Sequence, residues 1–286
     1  RRGKHIDTVL VEDTTEEELA EKMVGREVSF KVDKEDKERG ETVLKIENLV
    51  VKDNRNIEAV RGLSIEVCAG EILGIAGVDG NGQTELIEAL TGLRPIESGE
   101  IIVNGINVTN KSPRKIIENK MVSIPEDRQK RGLVMDYTVA ENMILENYNK
   151  EPFAKNGILN KTEINKFAKE LIKKFDVRPV DENIKAKSLS GGNQQKVIIA
   201  REVTNDPDIL IASQPTRGLD VGAIEFVHKS LVEQRNKNKA VLLVSLELDE
   251  VMNVSDRIAV IYEGKIVGII DARDADERSL GLMMAG

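Results

Sequence analysis

From about residue 42 onward, short unbroken apolar runs alternate with longer stretches in which apolar residues return every three or four positions. Residues 42–51, "TVLKIENLVV", and 63–77, "LSIEVCAGEILGIAG", read as strands, and 84–92, "TELIEALTG", reads as a helix closed by Gly92. Residues 161–175 place Ile164, Phe167, Leu171 and Phe175 on one helical face. "DILIAS" (208–213), "AVLLVSL" (240–246) and "RIAVIYEG" (257–264) are short runs suited to strands buried on both faces. This alternation predicts an α/β fold with a parallel core, an antiparallel portion and a helical insertion at about residues 130–200.

The two ends of the chain resemble each other. Gly3 matches Gly264, Lys4 Lys265, Asp13 Asp274, Glu16 Glu277, Leu19 Leu280, Met23 Met284 and Gly25 Gly286, every pair 261 positions apart (264 less 3). A fixed spacing the size of a domain marks a repeated module. The expectation is that residues 1–27 are the C-terminal end of a first module, 28–42 a charged, solvated linker, and 43–286 a complete second module. A coincidental strand, loop and helix likeness is the plainer alternative.

Composition narrows the class. With 40% hydrophobic and 32% charged residues the 286-residue chain can bury a sizeable core. No apolar run reaches the roughly 20 residues needed to cross a bilayer, and the first residues lack the apolar centre of a signal peptide. The formal charge of −8 argues against a broad nucleic-acid surface. The single cysteine, Cys68, excludes an internal disulfide and reads as a small core residue, and nothing resembles zinc-ligand spacing.

Candidate chemistry begins at residues 77–84, "GVDGNGQT", a glycine-rich turn between a strand and a helix. Gly77, Gly80 and Gly82 free backbone N–H groups to curl around phosphate, the helix start adds partial positive charge, and Thr84 offers a hydroxyl to Mg²⁺. Gln83 occupies the position where such loops carry the lysine that reaches the β/γ-phosphates. An ordinary strand-to-helix turn remains the alternative reading of this motif alone.

Three further stretches, "IPEDRQKRGL" (124–133), "LSGGNQQK" (189–196) and "QPTRGLDVGA" (214–223), follow in order. With them the chain resembles the ATP-binding modules of ABC transporters, most of all the second of two modules in the ATP-binding subunit of importers for simple sugars and nucleosides. The resemblance covers nearly all of residues 43–286. It implies a P-loop NTPase of ABC type, with a RecA-like core, an antiparallel β-subdomain and a helical subdomain. ATP and Mg²⁺ would be the cofactors, both weakly held in this module.

The departures from the family pattern fall together. Ser213 and Gln214 stand where the resemblance places a metal-binding aspartate and a catalytic glutamate, and neither can act as an anionic base. Leu246 stands at the switch histidine and Glu126 at the glutamine of the connecting loop. No Phe, Tyr or Trp lies between Phe30 and Tyr137, where an adenine-stacking aromatic belongs. His228 reads as an ordinary helix residue. The expectation is that this module alone does not hydrolyse ATP.

Ser190, Gly191 and Gly192 open a helix. A serine N-cap explains the first but not the glycines, whereas bare backbone at a helix start suits a close anion. By resemblance that anion is the γ-phosphate held by the first module, paired head to tail, with Asp220 communicating across the interface; an N-cap role suits Asp220 equally. A permease would contact the segment after Glu126, where Arg128, Lys130 and Arg131 rim an apolar groove of Leu133, Val134, Met135 and Tyr137. A substrate-binding protein would act indirectly, and the subunit would lie peripherally on the cytoplasmic face of the plasma membrane. Two other classes stay open: an active ATPase with unorthodox residues, or an ABC protein acting on ribosomes or nucleic acid.

Overall fold

The computed structural model describes residues 5–25, 32 and 34–286. Two sheets form its frame. In the first, β1 (Thr42–Lys52), β2 (Glu58–Cys68), β4 (Ser98–Val103) and β5 (Ile106–Asn107) pair antiparallel in the order β2-β1-β4-β5. The second runs β12-β11-β3-β10-β9-β6, from β3 (Ile72–Ala76), β6 (Met121–Ile124), β9 (Ile209–Ser213), β10 (Ala240–Val244), β11 (Arg257–Tyr262) and β12 (Lys265–Asp271). All its pairings are parallel except β12 on the edge. The run at 63–77 is therefore two strands in two sheets, broken at Gly70, whose φ of +75° turns the chain.

Successive residues of the central strands enter different cores. Ile72, Leu210, Ala212, Val241 and Leu243 pack with the helices of the insertion. Leu73, Ile75, Ile209, Ile211 and Leu242 pack with the antiparallel sheet and α2 (Gln83–Leu90). Burial on both faces explains why these strands lack polar alternation. After α3 (Pro113–Glu118) and β6, the helical part comprises α4 (Val139–Met143), a small hairpin of β7 (Ala154–Lys155) and β8 (Ile158–Leu159), α5 (Lys161–Lys174) and α6 (Gly191–Thr204). α7 (Val221–Asn236) and α8 (Leu248–Val254) complete the core. Cys68 is half-buried at the end of β2 rather than in the core, and burial together with Glu71 pushes its thiol above the usual range.

The terminal repeat has structural counterparts at the same spacing. Val11–Asp13 and Ala272–Asp274 each form a 3-10 turn, and α1 (Glu16–Val24) and α9 (Glu277–Ala285) begin and end 261 positions apart (277 less 16). Thr15 caps α1 through Glu18 N–H, and Asp276 caps α9 through Ser279 N–H. Lys22 bonds Asp7 at 2.5 Å, and the matching pair, Met283 and Gly268, is also in close contact. Gly3 and Lys4 lie outside the described residues. Burial differs: Leu280 is fully buried with Met283 and Met284 packed nearby, whereas Leu19 is 42% and Met23 65% exposed.

The charged segment before β1 is not uniformly solvated, contrary to the sequence expectation. Lys34, its side chain 17% exposed, donates to the Val254 and Ser255 carbonyls at 2.9 and 2.5 Å and faces Asp256 at 3.4 Å. Arg235 donates to the Glu35 carbonyl at 2.8 Å. The segment is strapped across the C-terminal end of α8.

Candidate functional site

The carboxyl ends of β3, β10 and β9 lie side by side, since Ile75 pairs with Val244 and Val244 with Ser213. This edge of an open parallel sheet is where ligands bind. It gathers the loop 77–84, Ser213, Gln214 and Leu246. At Gly82, φ is +98° and a Cβ would overlap the Ala59 carbonyl, so the loop's entry into α2 requires glycine. Asn81 fixes the loop against the turn after β11, accepting from Glu263 N–H at 2.7 Å.

Gln83 is 8% exposed and turns back into the loop. Its Nε2 donates to the Val78 carbonyl at 2.9 Å, while its buried Oε1 has no partner. Thr84 lies exposed on a cavity of about 730 Å³ whose walls include Ser213, Glu126, Arg128, Arg131, Arg201, Glu202 and Arg217. Ser213 closes β9 and is buried. Gln214 adopts φ +46° and accepts from Leu246 N–H at 3.4 Å, tying the two strand ends together.

The glycine backbone at 77–82 fits a phosphate group. The remaining side chains do not fit a Mg²⁺-bound triphosphate poised for cleavage. An orphaned amide oxygen stands where a cation is needed, and Ser213 and Gln214 offer neutral groups where Mg²⁺ favours carboxylates. Among the described residues no cluster of three or more His, Cys, Asp or Glu suits a metal ion.

Glu126 follows β6 and pairs with Arg217, whose carbonyl takes a bond from Arg128 at 2.8 Å. Sequence reasoning placed Arg128 on the groove rim but missed its bond to the Arg217 carbonyl, and it missed Arg217 altogether, although that residue lies within the quoted "QPTRGLDVGA". Leu133, expected in the groove, is buried core, and Val134 and Tyr137 are the exposed apolar residues there. His228 lies within α7, as expected, and is buried there: its Nε2 is 2.9 Å from Glu250 Oε1, both side chains enclosed between α7 and α8.

Ser190 caps α6, its hydroxyl accepting from Asn193 N–H at 3.4 Å, and Asp220 caps α7 through Ala223 N–H at 3.0 Å. A Cβ on Gly192 would sit 2.9 Å from the Ala223 Cβ, so close approach of the two helix starts gives this glycine an internal reason. Beside Gly191 lies the Arg128 guanidinium. Ser190, Gly191, Gly192 and Asp220 do not line the cavity under Thr84.

Two buried carboxyl groups belong to this region, Glu202 on the cavity wall and Glu88 bonded to the wall residue Arg131. Burial alone would raise Glu88, but Arg131 and Arg94 hold it below the usual range. Glu202 is pushed up to about 8 by burial and by Glu146, against the opposing effect of Arg201.

The profile of the family described as "ABC transporter" matches residues 60–217. The chain is 57% identical over 286 residues to the guanosine import ATP-binding protein NupO of Bacillus subtilis and 54% identical over 286 residues to the nucleoside import ATP-binding protein NupA of Lactococcus lactis. A glucose import ATP-binding protein of Haloferax volcanii is 44% identical over 288 residues. All of this chain is matched by each, but it spans only 56%, 56% and 52% of those relatives. Two solved ATP-binding cassettes of ABC transporters superpose with TM-scores of 0.72 and 0.70 at 24% and 23% identity, over 86% of this chain and 100% and 96% of theirs. With its P-loop NTPase fold and this profile match across more than half its length, the chain belongs to the ABC transporter family.

Proposed function

We propose that this chain carries the second, non-hydrolysing nucleotide-binding module of the ATP-binding subunit of an importer for nucleosides or simple sugars. The printed names of the two relatives above 50% identity favour nucleosides. The observation that carries the reading is the separation of two sets of residues. Gln83, Ser213, Gln214 and Leu246 meet at one strand edge without the cation, carboxylates or imidazole that phosphoryl transfer needs. Ser190, Gly191, Gly192 and Asp220 stand apart from that edge, at two adjacent helix starts suited to a partner's nucleotide.

The repeat supports the proposed domain order. Residues 1–27 read as the last hairpin and helix of a first module, with Leu19 and Met23 facing where that module's core would lie, as Leu280 and Met284 face this one. Residues 28–42 link the two. The first module would hold the hydrolysed ATP·Mg²⁺ and receive the signature head to tail. Permease subunits would dock by the cavity beside Glu126, with a substrate-binding protein acting through them. No described helix is long and apolar enough to cross a membrane, which suits a peripheral place on the cytoplasmic face.

The test is ATPase activity of the full-length subunit assembled with its permease, at matched thermal stability. Ser190→Arg is expected to abolish turnover, while Ser213→Ala and Gln214→Ala leave most of it. The reverse pattern, or robust Mg²⁺-dependent turnover by the present chain alone, overturns the reading.

A further inference from the structure

The charges around the cavity under Thr84 do not all find partners. Arg217 pairs with Glu126, Lys130 with Asp127 at 3.6 Å, and Arg131 and Arg94 share Glu88. Arg201 is committed on both sides, to Glu202 at 2.7 Å and to the Gly132 carbonyl at 2.9 Å. Two acceptors on the cavity wall are left over. Glu202 is 1% exposed, its Oε2 meets no donor, and its carboxyl lies against that of Glu146. Glu146, on the turn after α4, accepts from Asn205 at 2.6 Å and has no basic side chain within ion-pair distance among the described residues. Among the described residues Arg201 pairs with Glu202 alone, so two neighbouring carboxyl groups have one cation between them in number, and burying a carboxylate oxygen without a donor is costly.

We propose that this wall receives one basic side chain, an arginine or lysine, from the protein segment that docks in the cavity, its cation lying between Glu146 and Glu202. The inference rests on the proposed docking of a permease there and names the chemistry of the contact. Other cations on the cavity wall are already paired or, like Arg128, directed to the signature side. The cavity, at about 730 Å³, has room for such a side chain and part of the backbone that carries it.

In the free subunit a proton stands in for the missing cation. Glu202 titrates near 8 because of burial and Glu146, with Arg201 opposing. The other charges on the cavity wall are the pairs Glu126 with Arg217 and Asp127 with Lys130, together with Arg128 and with Arg131, which is held by Glu88. Docking exchanges one for the other: the O–H bond of Glu202 releases its proton to solvent, and the carboxylate formed pairs with the incoming cation. Binding therefore strengthens as pH rises toward 8 and levels above it.

The experiment measures the affinity of the detergent-solubilised permease for the immobilised full-length subunit between pH 6 and 8.5. The wild type is expected to gain about tenfold per pH unit below 8. Glu202→Gln and Glu146→Gln are each expected to weaken binding at pH 8 by about tenfold or more and to flatten that slope. Glu146 is nearer the surface, so its variant keeps the test valid if Glu202→Gln lowers the melting temperature. Two folded variants with wild-type affinity and slope overturn this inference alone. A wild-type subunit that binds its permease at no pH overturns the docking reading beneath it.

Discussion

Replacing Gln83 by lysine puts a cation on the side chain that the phosphate loop already encloses. In the wild type the amide donates once, to the Val78 carbonyl at 2.9 Å, and strands its Oε1 in a buried position. Lysine has three donors and no acceptor, so the orphan disappears, but the free loop must then bury an ammonium against carbonyls alone. That lowers the stability of the ligand-free domain by about 1–3 kcal/mol. With phosphate present, the same ammonium makes charge-assisted hydrogen bonds that contribute about 1.5–3 kcal/mol, or roughly tenfold to a hundredfold in affinity. Calorimetry with ATP and ADP, with and without Mg²⁺, measures the gain, and melting curves measure the loss. Turnover is expected to stay negligible, because Ser213 and Gln214 still offer no carboxylate. An affinity unchanged within about threefold in a folded variant refutes the phosphate-loop role of residues 77–84. Restored Mg²⁺-dependent turnover shows instead that the base and metal positions are wrongly placed.

Gly82→Ala is expected to lower stability by about 2 kcal/mol or more, read as a melting-temperature drop, because a Cβ there overlaps Ala59 at a backbone angle alanine avoids. Lys34→Met removes the bonds to Val254, Ser255 and Asp256, and is expected to cost about 1–2 kcal/mol and open residues 34–40 to limited proteolysis. For Glu202, the folded carboxyl titrates near 8 against a reference of 4.5, so between those values the folded state holds more protons than the unfolded one. Its contribution to stability therefore falls as pH rises through that window, by up to about 1.4 kcal/mol per pH unit, and denaturant titrations should find the slope reduced in Glu202→Gln.

The core was legible because its strands are apolar on both faces and its helices on one, patterns that survive without knowledge of neighbours. The break at Gly70 was not, since Leu63 to Gly77 is apolar enough to read as continuous, and only pairing assigns its halves to different sheets. Motif order names candidate positions but not the side chains they meet. Glu126 meets Arg217 across 91 residues, and Gln214 meets Leu246 across 32, contacts that depend on the strand order. Lys34 shows the same limit, because a charged run reads as solvated until the carbonyls at the end of α8 are seen to claim one of its ammonium groups. The Glu146 and Glu202 pair carries no local motif.

Gly192 is a poor probe of the signature, because any side chain there meets Ala223 within the same domain, and loss of activity would not separate packing from nucleotide contact. Ser190 is the better one. It is exposed, and its hydroxyl caps α6 through Asn193. Ser190→Asp keeps a capping oxygen and adds negative charge at a helix N-terminus, which leaves stability unchanged or raises it by about 0.5 kcal/mol. If α6 only needs a cap, the full-length subunit with its permease should work as before. If the helix start faces the γ-phosphate of a partner module, the added carboxylate repels that phosphate across a dry interface, and ATPase activity should fall by about a hundredfold or more. Ser190→Asn, a cap without charge, should lose far less. Equal activity of the two variants, both at wild-type melting temperature, would show that the signature serves the fold of its own domain and nothing beyond it.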